Sequence, residues 1–218
     1  MKVLDLFSGL GGWSDPARTL GYDVFTIDND PTFGADAVVD VADTEAVLAA
    51  LPWRPDLILA SPPCNAFSMM SNRHYFMPGH GAPRPKNEKG WEALRLVDAT
   101  VGLVARLQPR AFVIENPVGK MRKVPSVVPL ERRTVTYCQY GEPRMKPTDL
   151  FGGFPPGLIL LPPCRNGDQC HPRTPRGTKE HGTQGQQLTP AERAKVREVL
   201  ALAVLESCVQ ALRWDTGI

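Results

Sequence analysis

A chain of 218 residues, 42% of them hydrophobic, is long enough for one substantial core and leaves little room for a second, so a single α/β domain over 1–218 is the starting expectation. No apolar stretch approaches the about 20 residues of a membrane helix, which excludes a membrane-spanning role. The net charge of +2 hides an asymmetry: residues 1–60 carry a net −7 and the remainder +9, so a polyanion has a place to dock on the later part, although a solvated basic surface carries equal weight on charge alone.

The chain runs at once into an apolar segment at 2–7, with no basic leader or cleavage site, and the expected location is cytoplasmic. Short apolar runs at 2–7, 22–27, 56–60 and 110–115 alternate with amphipathic stretches at 13–20, 43–51 and 89–107. This is the pattern of βα units around a parallel sheet. The third helix places Trp91, Leu94, Val97, Val101 and Val104 on one face, and Trp91 and Trp53 both read as packing residues. Residues 65–89 are polar, contain Pro and Gly, and are too long for a simple connection; they are expected to form a mobile substrate loop. A strand is expected at 134–139, a loop-rich insertion at 151–188, and a helix over about 190–213 opened by the capping box Thr189-Pro190-Ala191-Glu192. Cys208 reads as core of that helix.

Chemistry concentrates at strand ends. Asp5-Leu6-Phe7-Ser8-Gly9-Leu10-Gly11-Gly12 is a strand feeding a glycine turn and then a helix, where a ligand can approach the backbone and the helix amides. Alone this is a weak signal, since a turn needed only for packing looks similar. The next strand ends at Asp28, where a carboxylate can accept hydrogen bonds from ribose hydroxyls. The run Ala60-Ser61-Pro62-Pro63-Cys64 follows a third strand, and its two prolines stiffen the turn that carries Cys64. A lone cysteine after a strand is more often buried filler. Against that, Val113-Ile114-Glu115-Asn116-Pro117 is another apolar strand ending in a carboxylate and an amide. Carboxyl ends of parallel strands line one crevice, so Cys64, Glu115, Asp28 and the Gly9 turn can converge there.

In these segments the sequence resembles the cytosine-C5 DNA methyltransferase family, in a compact, phage-like form, over roughly residues 1–150. The resemblance implies a Rossmann-like S-adenosylmethionine-dependent methyltransferase fold, a mostly parallel sheet with helices on both faces. It assigns S-adenosylmethionine to Phe7, Ser8, Gly9, Gly11, Pro62 and the ribose acid Asp28, with Asp40 as the acid that meets the adenine amino group. It implies that Cys64 adds to cytosine C6, that Glu115 holds N3 and the exocyclic amine, and that Asn116 and Pro117 set the geometry of Glu115. The target base must then be flipped out of a duplex or already unpaired. Arg73, His74, His80, Arg84, Lys86 and Lys89 suit the loop after Cys64 to closing over it.

The resemblance also exposes departures. In Tyr140-Gly141-Glu142-Pro143-Arg144-Met145-Lys146-Pro147-Thr148 the family's two arginine positions are Lys146 and Thr148. Lys146 can still donate to cytosine O2 but lacks the planar fork of arginine, Thr148 carries no charge, and Arg144 is a candidate to share the role. A sizeable target-recognition domain is missing, and Thr183-Gln184-Gly185 is a weak match to the family's pocket-closing motif. The expectation is a recognition sequence on the order of two base pairs, or loose context. Cys164, Cys170 and His171 lie in the insertion, with Cys138 a possible neighbour; free thiols are preferred there to a structural zinc, because the paired C-x-x-C signal is absent. The favoured function is a monomeric DNA cytosine-C5 methyltransferase, with an RNA (tRNA) methyltransferase and a non-catalytic nucleic-acid-binding relative as alternatives. A phage-encoded protein acting in a bacterial cytoplasm suits its compactness.

Overall fold

The computed structural model describes residues 1–142, 144–171 and 189–215. Seven strands make one sheet: β1 (Lys2–Leu6), β2 (Asp23–Asp28), β3 (Ala37–Val38), β4 (Leu57–Ala60), β5 (Ala111–Pro117), β6 (Glu131–Thr136) and β7 (Pro147–Gly153). Their order is β3-β2-β1-β4-β5-β7-β6. The pairs from β3 through β5 are parallel, while β7 runs antiparallel to both β5 and β6. The α-helices are α1 (Ser14–Thr19), α2 (Thr44–Ala50), α3 (Glu88–Leu107), α4 (Pro190–Ala194) and α5 (Glu198–Asp215), with short 3₁₀ turns between elements.

The central strands are apolar at successive positions because both faces of the sheet are covered. Leu4, Ile58, Ile114 and Phe151 point to the face that carries Val47 of α2 and Val97, Leu103 and Val104 of α3. Their neighbours Val3, Leu57, Val113 and Leu150 point to the other face, under Ala17 of α1 and Leu200, Val204 and Leu205 of α5. The two-residue period of a strand thus feeds two separate cores. The α/β class and the helices on both faces agree with expectation.

Several elements differ from it. The strand expected at 134–139 lies at Glu131–Thr136 and is followed by a 3₁₀ turn, Tyr137–Tyr140. No strand was expected at Pro147–Gly153; it is inserted antiparallel between β5 and β6, and the irregular stretch begins only after it. Gly152 is required there, because a Cβ would stand 2.0 Å from the Phe112 carbonyl oxygen. The capping box at Thr189 and Glu192 is present, but the C-terminal helix is broken after Ala194. At that break Val196 packs on the opening glycine turn, where a Cβ on Gly12 would meet its backbone nitrogen at 2.6 Å, and Arg197 turns in to pair with the buried Glu142. On α3 the buried face is Ala93, Leu96, Val97, Thr100, Leu103, Val104 and Leu107, whereas Trp91 is 64% exposed, so it is not a packing residue. Trp53 does pack, edge-on to Phe25 at 6.3 Å between centroids. Cys208 is core, as expected.

Asp5 is a carboxylate in the interior of the sheet. Fully buried, it accepts a hydrogen bond from the Ser14 backbone at 3.1 Å and so ties the end of β1 to the start of α1. Burial raises its pKa from 3.8 to about 7, with the bonds to Ser14 opposing. The folded chain therefore holds this proton more tightly than the unfolded one. The stability it contributes is full below about pH 4 and is lost as pH rises through about 7. We predict that the melting-temperature difference between Asp5→Asn and the unsubstituted chain moves in the variant's favour as pH rises from about 4 to 8; a difference that stays constant over this range would refute the assignment.

Candidate active site

The carboxyl ends of β1, β2, β4 and β5 lie side by side in the sheet, so the segments that follow them share one edge. The turn after β1 is tightly bent, with Phe7 at φ 60°, Gly9 at 48° and Gly11 at 71°. Phe7 is a left-handed residue without glycine's freedom, a strain more often met at functional sites than elsewhere. Gly11 holds a left-handed backbone angle that side-chain-bearing residues rarely adopt. Ser8 is buried in this turn and hydrogen-bonded through its backbone to Ile27. Asp28, at the end of β2, is 8% exposed and accepts from the Gly9 amide at 2.9 Å and the Asp30 amide at 3.0 Å. One carboxylate thus fixes the glycine turn against the second strand. Asp40, beyond β3, is more open: it accepts from the Ala42 amide at 2.9 Å and pairs with Arg95 at 3.0 Å.

The turn carrying Cys64 is held from two sides. Trp13, buried beside the glycine turn, donates its indole N–H to the Ser61 hydroxyl at 3.0 Å. Asn116, fully buried, donates its side-chain amide to the Pro62 carbonyl at 2.9 Å. Pro62 is buried and Cys64 half-buried, and the Cys64 carbonyl accepts from the Phe67 and Ser68 amides, so the thiol sits at the head of a tight turn. Glu115 is 3% exposed. The Tyr137 hydroxyl donates to it at 2.8 Å, and the Lys146 ammonium lies 4.0 Å away. Lys146 itself rests over the Tyr137 ring at 4.4 Å and donates to the Arg193 carbonyl of α4 at 2.9 Å.

These neighbours set the charges. Burial pushes the Glu115 carboxyl up, against the pull of Lys146 and the Tyr137 hydrogen bond. Burial also raises the Cys64 thiol, the Glu115 charge raises it further, and Lys146 opposes both. Burial thus makes both groups hold their protons more tightly than they would in water. Thr148 is buried, and its hydroxyl donates to the Lys146 carbonyl. Arg144 does not share the role of Lys146: its guanidinium is taken up by the buried Glu142.

The segment after Cys64 is anchored through buried Phe67 and Phe76, whose rings lie 5.6 Å apart, and through a bridge between Ser68 and Gly119. Arg73, His74, His80, Arg84, Lys86 and Lys89 all remain exposed along it, together with Met69 and Met70. Cys164 and His171 are buried near Cys138 and Cys170. Thr183, Gln184 and Gly185 lie outside the described residues. Sequence reasoning missed Tyr137, Trp13 and the carbonyl of Arg193, because an aromatic ring in an apolar run and a backbone oxygen carry no local signal of a role.

Residues 1–126 match the family of C-5 cytosine-specific DNA methylases. The chain belongs to that family. Cys64 and Glu115 thus sit within the segment that the family match covers. The chain is 30% identical over 144 residues to a probable DNA (cytosine-5)-methyltransferase of Frog virus 3 (isolate Goorha), covering 65% of each chain. It is 24% identical over 192 residues to the type II methyltransferase M.AgeI of Thalassovita gelatinovora, covering 75% of this chain and 42% of that one. It therefore spans less than two thirds of the length of either of these curated relatives. Among solved structures it is similar to a putative DNA modification methyltransferase encoded within an E. coli prophage, with a TM-score of 0.47, 23% identity, and coverage of 70% of this chain and 46% of that one.

Replacing Lys146 by Met removes the cation that opposes proton retention on Cys64. The midpoint of the pH dependence of Cys64 alkylation by iodoacetamide, followed by mass spectrometry of its peptide, is expected to shift upward. A downward shift or none would refute the coupling. Gly119→Ala is expected to cost about 1–3 kcal/mol of stability, measured by urea unfolding, because the added Cβ would stand 2.0 Å from the Phe67 carbonyl oxygen.

Proposed function

We propose that the chain transfers a methyl group from S-adenosylmethionine to C5 of cytosine in DNA. The observation that carries this reading is the pairing of Cys64, at the head of a braced turn, with a buried Glu115 whose carboxyl is biased toward its protonated form. Cytosine C5 is a poor nucleophile until a thiolate adds to C6. In this reading Cys64 gives its thiol proton to solvent and bonds to C6 as the thiolate while the Glu115 carboxyl gives its proton to N3, so that negative charge does not build up on the ring. The electron pair released into the ring makes C5 nucleophilic. After C5 is methylated, a solvent base removes its proton, expulsion of the Cys64 thiolate restores the aromatic ring, and N3 returns its proton to Glu115. Asn116 positions the Cys64 turn through the Pro62 carbonyl, and Lys146 stabilises the thiolate as it forms.

The residues at the glycine turn suit the methyl donor. Phe7, Ser8, Gly9 and Gly11 present a backbone that a ligand can approach closely, Asp28 is a buried carboxylate at the end of the second strand, and Asp40 and Pro62 follow β3 and β4 in the same sheet. S-adenosylmethionine, when bound there, supplies an electrophilic methyl on a sulfonium. The exposed cations of the segment after Cys64 suit phosphate contacts around a flipped nucleotide. The short, largely irregular stretch after β7 offers few side chains for reading bases, which supports a recognition sequence on the order of two base pairs or loose context. We take the protein to act as a monomer in the cytoplasm where its DNA lies; no helix of the described residues is long and apolar enough to cross a membrane.

The test is covalent trapping. Duplex DNA with 5-fluorocytosine cannot lose a proton from C5, so the protein should accumulate on it as a stable adduct in the presence of the methyl donor, and Cys64→Ala should abolish that adduct. Glu115→Gln is expected to lower kcat by about 10²–10⁴-fold. Adduct on fluorinated tRNA but not on DNA would redirect the reading to RNA, and no adduct on either would refute it. Bisulfite sequencing of treated DNA should find methylation in short or loose contexts; confinement to a four- to six-base site would contradict the recognition proposal.

A further inference from the structure

Four soft ligand atoms meet at the far side of the Tyr137–Tyr140 turn. The Cys138 sulfur lies 3.2 Å from that of Cys164 and 3.6 Å from that of Cys170. The His171 Nδ1 lies 3.7 Å from the Cys164 sulfur and 3.3 Å from the Cys170 sulfur. All four ligand atoms fall within 4.8 Å of one another. A tetrahedral zinc with bonds of about 2.3 Å to sulfur and 2.0–2.1 Å to nitrogen requires ligand separations of about 3.5–3.8 Å. The observed spacings cluster around that edge length. Three of the four residues are buried and Cys170 half-buried, so the set is closed to substrate, as structural zinc sites are.

The surroundings give such an ion something to do. From Phe154 to His171 the chain has no helix or strand, and little apolar area holds it down: Leu158 and Cys164 are buried, while Ile159 and Leu161 are exposed. Among the described residues, hydrogen bonds fasten this stretch to β6 and the turn beyond it: from the Cys164 amide to the Thr136 hydroxyl at 3.0 Å, from the Leu161 amide to the Tyr140 hydroxyl at 2.8 Å, from the Arg133 guanidinium to the Leu158 carbonyl at 2.8 Å and from the Gln139 side-chain amide to the Pro162 carbonyl at 3.4 Å. A loop-rich segment without a core of its own is where a metal contributes most to order.

We propose that Cys138, Cys164, Cys170 and His171 form a structural zinc site that clamps the segment after β7 onto the turn that begins with Tyr137. Cys138 follows directly on the residue whose hydroxyl holds Glu115, so the clamp is also a brace behind the catalytic acid. The assignment rests on the cluster alone and stands or falls independently of methyl transfer.

The full chain, purified without chelator after expression in zinc-supplemented medium, is expected to carry one zinc per molecule by inductively coupled plasma mass spectrometry. Cys164→Ser and Cys170→Ser should lose it, and Cys208→Ala, a cysteine in the core under α5, should retain it. Because a ligand variant can fail to fold, chelator-stripped wild-type protein is titrated with Co²⁺ as well. Intense d–d and thiolate-to-metal absorption that saturates at one equivalent, together with a fall in Tm on stripping that zinc reverses, is the expected result. Zinc in the wild type no higher than in Cys164→Ser, absence of the cobalt bands, or an intact mass showing Cys138 and Cys164 joined as a disulfide would each overturn the proposal.

Discussion

A carboxyl group buried at the end of a central strand must be given company or lose its charge, and Glu115 shows both responses. It receives one hydrogen bond from a phenol and has one ammonium at the edge of ion-pair range, yet burial outweighs them and its pKa rises. Much of the surrounding architecture holds this balance. The antiparallel β7 delivers Lys146 from its near end, β6 delivers Tyr137 from the turn that follows it, and α4 supplies the carbonyl that holds Lys146 in place. A more exposed carboxyl would hold its proton less tightly.

The same environment acts on the Cys64 thiol. A largely buried thiol beside a carboxyl holds its proton tightly, and the cations of Lys146 and Arg193 only moderate this. Such a thiol is protected from adventitious oxidation and alkylation, because the thiolate is the reactive form. Lysine in place of a fork-shaped guanidinium suits this arrangement: a compact ammonium over the Tyr137 ring reaches both groups as a point charge.

The site is cross-braced from strand end to strand end. Asp28 grips the Gly9 amide, Trp13 grips Ser61 in the Cys64 turn, and Asn116 grips Pro62 from the other side. Three hydrogen bonds of ordinary length thereby couple the first, second, fourth and fifth strands through their loops. The C-terminal segment closes the ring by setting Val196 on the glycine turn and Arg197 on Glu142.

The parts of this arrangement legible in the amino-acid order were those with a local cause. Apolar runs bounded by Gly, Pro and acids marked β1, β2, β4 and β5, because a strand covered on both faces must be apolar at every position; the strand-end residues Asp28, Cys64 and Glu115 stood out because each interrupts such a run. The capping box at Thr189 and Glu192 was readable for the same reason, its partners being three residues apart. What tertiary structure alone decided has causes distant in sequence. β7 reads as a proline- and glycine-bearing loop until β5 and β6 pair with its two edges. The break after Ala194 follows from Gly12 and Glu142, and the exposure of Trp91 from which stripe of α3 the sheet takes. Tyr137 and Cys138 are adjacent in the chain, but the contacts that give them meaning come from Glu115 on one side and from Cys164, Cys170 and His171 on the other. Sequence carries local propensity and chemistry, whereas partnership across tens of residues exists only once the sheet has brought its strands into register.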